Sequence, residues 1–200
     1  QEHTSSYYAA TANNYPECET LRGSHSADIC VVGAGFTGIA TALTLAERGY
    51  RVAVVEANRV GWGASGRNGG QIICDISGSS KIKKKYGQGI SDLMWDLKWR
   101  GNDIIFDRVE KYGIDCDLKK GFVHVALKKR QLAYFDEDMD ELQSRQFPYE
   151  YDVFDKNETR KLLGSDTYVG SMTNMRNGHV HPLNLCIGEA EAAIKLGARI

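Results

Sequence analysis

The sequence predicts an α/β fold that opens on a parallel βαβ unit, and three observations predict it. The run DICVV, residues 28–32, is apolar after its first residue, as a strand buried on both faces would be. The segment TGIATALTLAERG, residues 37–49, then has helical character and closes on Gly49, where a helix C-terminal glycine belongs. A second buried strand follows in YRVAVVEA, residues 50–57. Strand, helix and strand in so short a span make a βαβ unit with a right-handed crossover.

The chain around this unit has 200 residues and is 42% hydrophobic, enough for a domain with a real core. Its formal charge of -1 gives no electrostatic reason to expect nucleic acid or an anionic membrane as partner. The basic cluster KIKKK, with Lys81, Lys83, Lys84 and Lys85, reads as a solvated face. No apolar run approaches the ~20 residues that span a bilayer. The first residues lack a charged leader and apolar block, so no signal peptide is expected. Five scattered cysteines without a CxxC pair point to reduced thiols in a cytoplasmic protein, and to no metal site.

Residues 1–27 are polar and aromatic without periodicity, and read as an extension that is mobile or laid over the domain. Beyond the βαβ unit, Ile90, Leu93, Met94, Leu97, Ile104, Ile105 and Val109 form one helical stripe, expected to be core or a contact between lobes. That helix should close at Gly113, and GFVHVAL, residues 121–127, is a strand. Leu132, Phe135, Met139 and Leu142 repeat at helical spacing, and Asp155 with Glu158 forms a capping box. The last helix has Pro182 in its first turn and Gly197 at its end; Ala198, Arg199 and Ile200 then enter a strand. A chain stopping there reads as the N-terminal part of a longer one.

The first strand runs into GAGFTG, a G-x-G-x-x-G pattern at Gly33, Gly35 and Gly38. Such a pattern recurs by chance, but here it follows a buried strand, opens a helix and has Glu56 at the end of the next strand. Gly33 permits the tight turn, Gly35 lets a pyrophosphate approach, and Gly38 lets helix pack on strand. Helix N-terminal N–H groups meet the phosphates, and the Glu56 carboxylate accepts ribose hydroxyls while repelling a 2′-phosphate. These residues bind a dinucleotide, FAD or NAD rather than NADP.

A second glycine cluster, GWGASGRNGGQ at residues 61–71, separates the two. A nicotinamide enzyme has no general need for another backbone surface here, whereas FAD extends past its pyrophosphate. Gly63, Ala64, Ser65 and Gly66 are small enough for a phosphate or ring to lie against. Arg67 and Asn68 supply polar groups, and Gly69 and Gly70 supply N–H groups for close approach. An ordinary glycine-rich loop is the alternative.

On these residues the sequence resembles the FAD-binding start of the D-amino-acid-oxidase-like flavoprotein family. The resemblance continues through YGIDCDLKKGFVHVA and GHVHPLNLCIGEAEAAIKLGARI, so it covers nearly the whole chain. It implies a Rossmann-like FAD-binding domain with an interleaved substrate domain built on a mixed sheet. The segments are then an extension at 1–27, the FAD-binding core and flavin loop at 28–75, and a remainder at 76–200. That remainder opens the substrate domain and returns towards the FAD domain.

The resemblance puts Gly33, Ala34, Gly35, Phe36, Thr37 and Gly38 at the pyrophosphate, Glu56 and Ala57 at the adenosine, and Arg59 nearby. Ala64, Ser65, Arg67, Asn68, Gly69, Gly70 and Gln71 line the pyrophosphate and flavin ring, with Arg67 complementing charge on the cofactor. FAD is expected to be non-covalent, although Cys74 lies close in sequence.

The resemblance also implies amine oxidation, with a small-molecule amine and molecular oxygen as partners. The middle region favours members acting on γ-glutamylputrescine, giving the γ-glutamylated aminobutyraldehyde, ammonia and hydrogen peroxide. Alternatives are a glycine or sarcosine oxidase type, an NAD-dependent dehydrogenase, and a non-catalytic FAD-binding subunit or fragment. Members are about twice this length, so the chain alone is expected to turn over no amine. No catalytic acid or base is identified. His179 and His181 are read as structural, and Trp95 and Trp99 as packing.

Overall fold

A computed structural model of the chain describes residues 3–74 and 79–200; the segment boundary at residues 75/76 lies outside them. Two compact units are present, each assembled from separated stretches. The first takes Gln1–Gly70, Trp99–Leu118 and Val180–Ile200, and the second Gln71–Lys98 and Lys119–His179.

In the first unit, a short helix α1 (Tyr7–Ala10) precedes β1 (Ile29–Val32), α2 (Phe36–Glu47) and β2 (Val52–Val55). The two strands pair in parallel from Ile29 opposite Val52 to Val32 opposite Val55. Helix α2 buries Ile39, Ala42, Leu43 and Ala46, the i, i+3, i+4, i+7 spacing that puts four side chains on one face. It stops where Gly49 takes φ +82°. The Gly49 N–H then reaches Ala46 O at 2.9 Å and the Tyr50 N–H reaches Leu45 O at 3.1 Å, a Schellman closure.

Against α2 packs α7 (Pro182–Lys195), whose Cys186, Ala190 and Ala193 are fully buried. Small residues on α7 let the two helices approach closely. The fully buried Ile39 and Leu43 fill the rest, each contributing about 1.5–3 kcal/mol. His181 caps α7, its Nδ1 accepting the Asn184 N–H at 3.1 Å, with Pro182 in the first turn. Beyond Gly197 the chain comes alongside β2: Val54 donates to Arg199 O at 2.7 Å, and Arg199 donates to Val52 O at 2.9 Å. The strand expected at Ala198–Ile200 thus begins as a parallel bridge between Ala53 and Arg199.

The long helix α4 (Gln88–Tyr112) contributes its C-terminal half to this unit. The apolar stripe read from the sequence is only partly buried in this chain, with Met94, Ile105 and Val109 half-buried. Ile90, Leu93, Leu97 and Ile104 are exposed, while Trp99, Asn102 and Arg108 are buried. The reason is a polar anchor that hydrophobic periodicity does not register. Arg108 Nη1 meets Glu189 Oε1 on α7 at 2.9 Å, and its Nη2 donates to Thr44 Oγ1 on α2 at 2.7 Å. Burial pushes the Glu189 carboxyl up, opposed by the adjoining guanidinium.

The second unit is built on an antiparallel sheet ordered β3 (Gln71–Ile72), β6 (Gly170–His179), β4 (Lys119–Ala126), with β5 (Tyr151–Phe154) also paired to β6. The expected mixture of strand directions is therefore divided between two sheets, parallel in one unit and antiparallel in the other. Gly121, at φ +100°, sits in the bulge of β4. Helix α5 (Leu132–Ser144) buries Phe135 and Leu142, two residues of the expected stripe. Helix α6 (Lys156–Leu163) has the expected capping box, with both reciprocal hydrogen bonds at 2.9 Å. The lysines of α3 (Ser79–Tyr86) are exposed, as the solvated-face reading requires. Trp95 lies between cations, with Lys98 Nζ 4.2 Å and Arg145 Cζ 4.6 Å from its ring centroid, while Trp99 is buried.

Candidate dinucleotide site

The turn from β1 into α2 is held by three contacts that the sequence could not display. Gly33, at φ +98°, donates to Val55 O at 2.8 Å, which pins the end of β1 to the end of β2. Glu56 Oε2 accepts the Ala34 N–H at 2.7 Å and its Oε1 accepts the Asn58 N–H at 2.9 Å. Ser65 Oγ accepts the Phe36 N–H at 2.9 Å, so a side chain from the second glycine cluster caps the first turn of α2. Ile39 makes the first helical hydrogen bond back to Gly35 O, leaving the N–H groups of Thr37 and Gly38 with no acceptor inside the helix.

The glycines divide by what surrounds them. A Cβ on Gly38 would collide with Gly33 O and sit 3.0 Å from its carbonyl carbon, so this glycine is required by helix-on-strand packing. A Cβ on Gly35 would meet Ser65 Oγ at 2.9 Å. At Gly33 and Gly63 an added Cβ would meet nothing within 4 Å, so both border open space. Open ground beside a helix N-terminus and a carboxylate suits the pyrophosphate and ribose of a dinucleotide.

The second cluster forms a one-turn 3-10 helix, Ala64–Gly66, stitched by Asn68. Asn68 Nδ2 donates to Ser65 O at 2.8 Å and Ala64 O at 3.1 Å, and its Oδ1 accepts the Gly70 N–H at 2.8 Å. The Gly70 N–H is thus committed within the loop, not offered for close approach as the sequence reading had it. Gly70 is a glycine for another reason: it has φ +72°, and a Cβ would collide with Val180 O. Gly61 and Gly66 likewise face Leu183 Cδ1, at 2.8 and 2.9 Å from an added Cβ.

Three of this cluster's five glycines therefore serve packing, within the loop and against residues 180–186. Pro182, Leu183 and Cys186 brace the loop from far along the chain, and no local signal marked them. Burial pushes the Cys186 thiol up to about 12, so it stays protonated and serves packing, not nucleophilic chemistry.

The remaining expected residues fall as follows. Ala34 is fully buried, Thr37, Ala57, Arg59, Gly63, Ala64, Arg67, Asn68 and Gly69 are exposed, and the Arg67 guanidinium stacks 4.3 Å from the Trp62 ring centroid. Gln71 belongs to the second unit, where it opens β3 opposite His179. His181 is the helix cap already described, and no group of three or more His, Cys, Asp or Glu able to hold a metal occurs among the described residues.

A βαβ turn of this geometry with a carboxylate at the second strand's end defines a dinucleotide-binding α/β protein. Residues 28–200 match the profile of the FAD-dependent oxidoreductase family DAO, and the chain belongs to that family. The chain is 44% identical over 200 residues to the gamma-glutamylputrescine oxidoreductase of Escherichia coli K12, covering all of this chain and 47% of that protein. It is 42% identical over 202 residues to the probable oxidoreductase OrdL of Haemophilus influenzae, again covering all of this chain and 47% of the relative. Among solved structures, the L-amino acid deaminase from Proteus vulgaris is similar with a TM-score of 0.74 and 26% identity, over 94% of this chain and 42% of that one. The chain thus spans about half the length of the curated relatives it matches.

Proposed function

We propose that this chain carries the FAD site of an amine oxidase acting on γ-glutamylputrescine. The observation that carries the reading is the 44% identity to the Escherichia coli gamma-glutamylputrescine oxidoreductase along the whole chain. In this reading the N–H groups of Thr37 and Gly38, with the positive end of α2, hold the pyrophosphate. Glu56 spends one lone pair of each oxygen on the loop and keeps the others for ribose hydroxyls. Ala57 and Arg59 lie by the adenosine. Ala64, Ser65, Arg67, Asn68 and Gly69 border the rest of the cofactor, with Arg67 supplying a fixed positive charge.

FAD, when bound, supplies the two-electron acceptor that amine oxidation needs. The residues described here bind and orient, and none is assigned proton transfer. The amine is a small molecule, molecular oxygen is the second substrate, and the place of action is the cytoplasm. Five scattered cysteines without a CxxC pair support a reducing compartment.

The test is the visible spectrum of the protein purified at its natural length, since residues 1–200 alone are expected to turn over no amine, followed by anaerobic addition of γ-glutamylputrescine, glycine or sarcosine. Flavin bands bleached selectively by γ-glutamylputrescine, with peroxide formed on readmitting air, support the proposal. Bleaching by glycine or sarcosine instead moves the substrate to the glycine oxidase type, and a colourless protein that takes up no added FAD overturns the site.

A further inference from the structure

Residues 3–15 run across the first unit and touch three parts of it. On α1, the Tyr8 ring lies edge-on to the His181 imidazole at 4.9 Å, and at its C-cap Thr11 Oγ1 is 3.0 Å from the imidazole Nε2. Asn13 then forms a clamp: its N–H donates to Asn184 Oδ1 at 2.8 Å and its Nδ2 donates to Asp115 O at 2.7 Å. Past the clamp Tyr15 packs against the buried cluster of α2, β2 and α7.

The approach to the second glycine cluster and the middle of that cluster both meet this strap. Arg59, just ahead of the cluster, holds its guanidinium carbon 5.5 Å from the Tyr15 ring centroid. His3 stacks on Tyr15 with ring centroids 5.8 Å apart, and its Cε1 lies 3.3 Å from where a Gly66 Cβ would stand. A segment with one short turn of helix, tied at backbone and side chain alike, is built into the site and is not a fraying terminus.

We propose that Tyr15 is a positioning residue for the dinucleotide, acting through Arg59. This rests on the FAD reading above. A ligand that uses the charge of an exposed arginine must hold its guanidinium in one place. An aromatic face beneath the guanidinium narrows its freedom before the ligand arrives, so binding meets a preorganised cation. The clamp at Asn13 fixes where the ring stands, and the His3 contact ties the same ring to Gly66.

The experiment titrates FAD into apoprotein, read by flavin fluorescence, for wild type, Tyr15→Leu, Tyr15→Phe, Arg59→Gln and Tyr15→Leu with Arg59→Gln. Tyr15→Leu keeps apolar packing and removes the ring, so it carries the test even where Tyr15→Ala does not fold. Expected is a roughly two- to ten-fold weaker affinity for Tyr15→Leu, near wild-type binding for Tyr15→Phe, and no further loss when Tyr15→Leu is added to Arg59→Gln. Tyr15→Leu binding FAD as wild type does, or weakening it equally in the Arg59→Gln background, overturns the positioning role. Wild-type apoprotein that binds no FAD overturns the site itself, and with it this inference.

Discussion

Gly38→Ala adds one methyl group at the point where α2 crosses β1. The new carbon would collide with Gly33 O, lie 3.0 Å from the Gly33 carbonyl carbon and 3.4 Å from Val31 Cγ1. The nearest obstacle is backbone, so no rotamer change relieves it. An ordinary carbon–oxygen contact is about 3.3 Å, so α2 and the glycine turn must part by on the order of 1 Å.

Overpacking of this kind costs about 1–3 kcal/mol, and alanine's better helix propensity offsets at most about 1 kcal/mol. The same displacement moves the Thr37 and Gly38 N–H groups away from the anion position. Urea denaturation should show a loss of about 2 kcal/mol. FAD titration into apoprotein should show a loss of about thirty-fold if binding must reverse that displacement, since each tenfold is about 1.4 kcal/mol. Gly63→Ala is the companion: its Cβ meets no protein atom within 4 Å, so stability should hold while any loss of affinity reports the ligand's approach. Gly38→Ala with wild-type stability and wild-type affinity would refute the packing role and the cradle together.

Three further outcomes are expected. Glu56→Ala removes the acceptor from both the Ala34 and Asn58 N–H groups, so FAD affinity should fall about ten- to a hundred-fold; charge-assisted hydrogen bonds are worth about 1.5–3 kcal/mol. An unchanged isotherm would place the ribose elsewhere. Burial holds the His181 imidazole below the ordinary value of 6.5, and its Nδ1 must be unprotonated to accept the Asn184 N–H. The native state therefore prefers neutral His181. This stability is present above pH ~6.5 and drains away as pH falls through the lowered native value. His181→Asn, which keeps a capping side chain, should flatten that slope in urea midpoints measured across pH. Finally, FAD should leave with the supernatant on acid precipitation, because Cys74 donates its S–H to Lys98 O at 2.9 Å; a yellow pellet would contradict non-covalent attachment.

Local rules made much of this molecule legible in the sequence. The βαβ unit could be read because its strands are continuously apolar and because Gly49 has to close α2 in a left-handed conformation. In this chain β1 is nonetheless not buried on both faces, since Cys30 and Val32 are exposed. The Asp155–Glu158 box and Pro182 at the head of α7 are likewise matters of a few neighbouring residues. The pattern of Gly33, Gly35, Gly38 and Glu56 was readable because backbone approach and helix packing tolerate little else there.

What only the tertiary structure decided involves partners distant in the chain. Ser65 caps α2 across 29 residues, Asn13 is clamped by Asn184, and Arg108 is buried because Glu189 and Thr44 meet it, against the helical stripe that periodicity favoured. Glycine identity alone could not reveal that Gly61, Gly66 and Gly70 give room to α7 while Gly33 and Gly63 border open space. A missing side chain looks the same in sequence whether a ligand or another part of the chain occupies the room, and packing settles which.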